Sequence, residues 1–108
     1  RMVKLLSVKK SIKKDKKLMA TFELDDGRFL TRHFGATGYD DFIKTKDKEQ
    51  REDYWERHIV DMKTDDPTRA GYLSLFILWN KPTLKASVAD YEKRLKKDDW
   101  TLPSFMID

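Results

Sequence analysis

Apolar and polar residues alternate with a period of two over the first third of the chain. Leu18, Ala20, Phe22 and Leu24 interleave with Met19, Thr21 and Glu23, the pattern of a half-buried strand. Met2–Val8 and Phe29–Phe34 read the same way, and Asp25-Asp26-Gly27-Arg28 between the last two runs is a hairpin signal, because glycine accepts the positive φ of a tight turn. Residues 2–34 therefore predict a three-stranded antiparallel β-meander. The Lys9–Lys17 stretch is its first connection, expected to be long and to project from one end.

From residue 39 the period changes to that of a helix. Asp47 with Gln50 three positions later is a capping pattern that opens a helix over roughly residues 48–62, with Trp55, Ile59 and Met62 on one stripe. Asp65-Asp66-Pro67 is a second start, since proline at the first helical position loses no needed donor. The helix it opens runs to about Trp79 and is apolar nearly all round from Leu73, as a central core helix should be. Leu84, Val88, Tyr91 and Leu95 set a third helix at i, i+4, i+7 and i+11. The sum is a single α+β domain over residues 1–97, with the helical part over 39–97. Residues 98–108 form an irregular apolar tail that either folds back over the core or docks on a neighbour.

Composition sharpens this picture at two points. Apolar and charged residues each make up 39% of the 108 residues, so the core is thin and rests on thirteen aromatic residues that bury large areas. There is no cysteine, which rules out a disulfide framework and thiolate metal sites and suits a reducing compartment. The longest apolar run, Leu73–Trp79, is too short to span a bilayer, and no secretory signal pattern is present. The chain opens at Arg1, which leaves the native start undetermined.

Charge is segregated. Residues 1–17 hold eight basic side chains and one acidic, a balance of +7, whereas residues 18–108 are slightly negative. Lys9, Lys10, Lys13, Lys14, Lys16 and Lys17 crowd nine positions. Such a run neutralises phosphates without reading sequence, or else guards a sheet edge as a solvated connection. The arginines at 51, 57 and 69 lie among acids at spacings of three and four, which favour local ion pairs on a solvated helix face.

Candidate catalytic chemistry is sparse. His33 and His58, even with Asp40, Asp41 and Asp61, match no metal spacing and supply no general base with an evident pocket, so they are read as hydrogen-bonded structural histidines. Gly35 and Gly38 do not form a phosphate loop, because no Gly-Lys-Ser/Thr ending follows. The stretch containing His33, Gly35, Gly38, Tyr39 and Asp40 is read as a strand-to-helix corner pinned to the core by Phe34, Tyr39 and Phe42. The expectation is a non-enzymatic protein with no cofactor and no metal.

Four ordered blocks carry a family resemblance. They are Lys16-Lys17-Leu-Met-Ala-Thr-Phe22, His33-Phe-Gly-Ala-Thr-Gly-Tyr-Asp-Asp-Phe42, Lys46-Asp47 with Arg51, Tyr54 and Arg57-His58, and Asp66-Pro-Thr-Arg-Ala-Gly-Tyr-Leu-Ser74 with Leu78-Trp-Asn-Lys-Pro-Thr-Leu84 and Ser87. Over about residues 3–95 the chain resembles small uncharacterised basic proteins of nucleocytoplasmic large DNA viruses. It departs from their pattern at Thr45, where histidine is usual, at Val60, where a basic residue is frequent, and in the tail. The resemblance implies a viral origin, with localisation to the virion or to host cytoplasm or nucleus, and it brings no catalytic residue.

Two functions follow as expectations. The first is a minor capsid or virion-associated component that contacts other virion proteins through Trp100, Leu102, Phe105, Met106 and Ile107. The second is a nucleic-acid-binding protein that packages viral DNA through the Lys9–Lys17 projection.

Overall fold

The computed structural model describes residues 3–107; Arg1 and Met2, where the domain and its first strand were expected to begin, and Asp108 of the tail lie outside the described residues. Three strands, β1 (Lys4–Lys10), β2 (Lys16–Glu23) and β3 (Phe29–Ala36), form an antiparallel sheet in the order β1-β2-β3. The meander read from the alternation is present. Its register pairs Leu5 with Phe22, Val8 with Ala20, Leu18 with Phe34 and Phe22 with Leu30, so these apolar side chains share the face that the helices cover. Leu6 is the extra residue of an irregularity between Leu5 and Ser7 and is 44% exposed, which keeps the alternation in phase on both sides of it.

The β1–β2 connection differs from the expectation. Lys9, Lys10, Lys16 and Lys17 are strand residues, and the loop between them is only residues 11–15. It does not project freely. The Thr37 amide donates to the Asp15 carbonyl at 3.1 Å, the Thr37 hydroxyl donates to the Lys14 carbonyl at 3.0 Å, and Ser11 Oγ lies 2.8 Å from His33 Nδ1. These bonds staple the hairpin tip to the end of β3.

Helices α1 (Phe42–Thr45), α2 (Lys48–His58), α3 (Ala70–Leu73) and α4 (Leu84–Lys97) follow. Asp41 caps α1 and Asp47 caps α2, each accepting from the amide three residues on. The expected helix over 48–62 divides at Ile59, where a 3₁₀ segment, Ile59–Thr64, takes over. The helix expected from Pro67 begins three residues later. The Asp66 carboxylate accepts from the Thr68 amide and hydroxyl, which holds Pro67 and Thr68 in a turn. After Leu73 the helix widens into a π turn, Ser74–Leu78, in which the Trp79 amide reaches back to the Ser74 carbonyl.

This central segment is the core. Residues 72–80 are all buried except half-buried Ser74, and they pack with Phe22, Phe34, Phe42, Trp55 and Tyr91. The Leu84, Val88, Tyr91 and Leu95 stripe of α4 faces them as its spacing requires. The Tyr91 hydroxyl donates to the Pro67 carbonyl at 2.6 Å, and burial pushes its ionisation far above the ordinary phenol range.

At Gly35 the sheet lies close against the core helix. Its φ is +78°, and a Cβ there would lie 2.6 Å from Leu78 Cδ1. Gly38 also has positive φ but faces open space. Gly35→Ala is therefore expected to lose about 3 kcal/mol in urea unfolding, and Gly38→Ala only about 1. Equal losses at the two positions would mean that the Leu78 approach is not a constraint.

Candidate functional site

Two hollows meet at Lys16. The first is a basin of about 360 Å³ lined by Lys13, Lys16, Thr31, Arg32, His33, Arg69 and Ala70. Four of its side chains are cationic and none is a carboxylate. Arg32 occupies the core-facing position of β3 between Leu30 and Phe34, paired with Ala20, where a cation breaks the apolar alternation. Its Nε is buried and has no hydrogen-bond partner among the described residues. Arg69 is mostly exposed, its Nε 3.7 Å from Asp66.

The six sequence-predicted lysines do not act alike. Among the described residues, none of Lys9, Lys10, Lys13, Lys14 and Lys16 forms an ion pair. Lys17 does: its Nζ lies 2.7 Å from Asp41 Oδ2, with both side chains mostly covered, and it also donates to the Tyr39 carbonyl. Asp41 at the same time caps α1. Lys17 therefore ties β2 to the corner, and removing it would leave a buried carboxylate uncompensated.

The second hollow is a groove of about 640 Å³ between the sheet end and the helices. Lys16 and Arg57 line it, together with Tyr39, Tyr54, His58 and Trp79. Three of these rings form a ladder. Tyr54 lies on Trp79 at 4.4 Å and 9°, and His58 lies on Tyr54 at 4.2 Å and 23°. Trp79 is buried, whereas the His58 side chain, at the outer end, is 41% exposed. Burial raises the Tyr54 phenol above its ordinary range, and the neighbouring Ser74 side chain offsets part of this. The groove also contains acids, but they face partners of their own: Asp61 is 3.6 Å from His58 Nδ1, and Asp40 has Lys44 and Gln50.

The corner motif is only partly as expected. Phe34 and Phe42 pin it to the core, but Tyr39 is 73% exposed and stands at the groove rim; Lys17 and Asp41 do the pinning instead. His33 is held by Ser11, and Gly35 by its approach to Leu78. Arg51, expected on a solvated face, is 11% exposed. It donates to the Asn80 carbonyl and lies over the Phe42 and Phe105 rings.

The C-terminal residues take the first of their two expected courses and fold back. Trp100 meets Tyr72, Phe76 and Tyr91 at ring centroid distances of 5.4, 5.1 and 5.4 Å. Phe105 meets Trp55 edge-on at 5.8 Å. Leu102 and Met106 pack on the same cluster, and Ile107 alone among these five is largely exposed.

Sequence reading missed Arg32, Arg57 and Arg69 as site residues. Arg32 did carry a signal, a cation at a core-facing strand position. Arg69 reaches the basin only because α3 packs on β3, and no local pattern announces that.

Residues 6–58 match the model of a family described as a family of unknown function (DUF5754). The match runs from within β1 through β2, β3, α1 and α2, and includes Lys13, Lys16, Arg32, Arg57 and His58 but not Arg69 or Trp79. No curated protein matches the chain. No solved structure matches it either. Among the described residues no group of three metal-ligating side chains is gathered, and no helix is long and apolar enough to cross a membrane.

Proposed function

We propose that this protein binds nucleic acid through its phosphate backbone, using the basin and the stapled hairpin above it. The observation that carries the reading is a concave surface lined by Lys13, Lys16, Arg32 and Arg69 with no carboxylate in its lining. A phosphate there meets several cations at once, and the tip's bonds to β3 fix the backbone that carries Lys13 and Lys16, which lowers the ordering needed on binding. Lys14 in the loop and Lys9 and Lys10 on β1 add further exposed cations to the same hairpin. The resemblance to small proteins of large DNA viruses makes viral nucleic acid the partner to which this reading points. The other reading, a virion component working through a free C-terminal arm, loses that support because the arm's aromatic rings pack against the core.

Anisotropy of a labelled DNA duplex tests the proposal. With the five unpaired lysines each on a phosphate, affinity is expected to fall roughly 500-fold between about 50 and about 200 mM salt. A variant combining Lys9→Ser, Lys10→Ser, Lys13→Ser, Lys14→Ser and Lys16→Ser should lose most of that dependence. Its fold is expected to persist, since none of these side chains is buried or ion-paired. No binding by the intact chain at low salt would overturn the proposal.

A further inference from the structure

We infer that the groove beside the basin takes an unpaired nucleotide, so that the protein prefers single-stranded nucleic acid to duplex. This rests on the backbone-binding reading and deepens it. The two hollows share Lys16 and Ala70, so a strand held in the basin runs directly to the groove mouth. There the lining gains stacked rings beside its cations, Lys16 and Arg57.

The ladder of Trp79, Tyr54 and His58 is three flat rings deep and open at one end. Stacking of the first two is internal packing. His58 is different: its side chain is 41% exposed at the outer end of the ladder, with Asp61 3.6 Å from Nδ1, and Arg57 and Lys16 line the same groove. A nucleobase is the planar, apolar-faced group that extends such a ladder, and its phosphate is the anion that the two cations want. Tyr39, exposed at the rim, offers a second π face for the neighbouring base. Bases in a duplex are already stacked on their neighbours and cannot enter without being extruded, which costs a few kcal/mol. Single strands pay no such cost, and stacking on an aromatic ring tolerates any base.

Other ligands fit less well. A bare phosphate has no use for the rings. An acidic peptide offers carboxylates to the cations but no flat ring to extend the ladder.

The test compares a labelled oligothymidylate with a duplex of equal length, on the intact chain and on His58→Ala, His58→Phe and Tyr39→Ala. The expected result is tighter binding of the single strand by about tenfold or more, with His58→Ala removing about tenfold of single-strand affinity. His58→Phe, which restores a ring, should recover it, while duplex affinity stays constant throughout. These positions are half-buried or exposed, so circular dichroism is expected to be unchanged. Equal affinity for the two nucleic acids, or a single-strand preference indifferent to His58→Ala and Tyr39→Ala, would overturn the inference while leaving the backbone reading standing. Failure to bind either nucleic acid would sink both. The lysine-to-serine variant separates these cases, since it should weaken both nucleic acids alike.

Discussion

Replacing Trp55 by alanine is expected to lower the unfolding free energy by about 5 kcal/mol, read from urea denaturation followed by circular dichroism. Trp55 is fully buried and does two jobs at once. Its ring meets Phe76 edge-on at 5.0 Å and Phe105 at 5.8 Å, joining the central helix to the C-terminal segment. Its Nε1 donates to the Trp79 carbonyl at 2.6 Å, at the end of the π turn. That carbonyl belongs to a residue whose own ring heads the groove ladder. Alanine removes the ring, leaves a cavity, and strands a buried acceptor, and the three effects have the same sign. A domain of this size has roughly 5–15 kcal/mol in total, so the change removes a third of its stability or more. Trp55→Phe keeps most of the volume and loses the donor, and about 2 kcal/mol is expected. A loss below about 1 kcal/mol for Trp55→Ala would mean that α2 is not anchored through this ring.

What the sequence made legible divides along a physical line. Periodicity reports which residues share a face, and faces were read correctly: Ala20 and Phe22 inward in β2, and Leu84, Val88, Tyr91 and Leu95 on the buried side of α4. Capping is equally local, and Asp47 does accept from the Gln50 amide. Where side-chain competition decides, the reading slipped. Pro67 can open a helix, but the Asp66 carboxylate captures the Thr68 donors first and delays it. Lysine spacing cannot tell which cation is paired, because Asp41 lies 24 residues from Lys17 and is brought there by the corner. Nor can it place Arg51, whose charge is matched by the Asn80 carbonyl and whose planar face is matched by two rings. The site was the least visible part. The hairpin lysines were evident as a run, but the basin exists only once Arg32 and Arg69 join them, and the ladder only once α2 and the π turn set Tyr54 beside Trp79.

The double variant Trp100→Ala with Phe105→Ala is expected to lose about 5 kcal/mol, with each single change losing about 2–3. Both rings are half-buried, so each loses less than a fully enclosed one. They touch different parts of one cluster, Trp100 on Phe76 and Phe105 on Trp55, and Phe76 and Trp55 touch each other. The two single losses should therefore sum to nearly the double loss, with any coupling carried through the Phe76–Trp55 contact. Phe105→Ala also uncovers the Arg51 guanidinium, 3.7 Å from that ring centre, so part of its cost is a cation losing its cover. Arg94 holds the same segment from the other side, donating to the Thr101 carbonyl and ion-pairing with Asp90 at 2.8 Å. Ile107→Ala, at a residue 57% exposed, should change stability by less than about 0.5 kcal/mol. The contrast decides between the two courses open to an apolar C-terminus. A docking arm would leave the stability of the free chain untouched by all of these changes and would show its cost only in a partner's presence. Wild-type denaturation midpoints for the double variant would restore the arm and, with it, the protein-contact reading; a collapse at Trp100 and Phe105 with Ile107 silent makes the segment the lid of the core, and leaves recognition to the cationic basin on the sheet side.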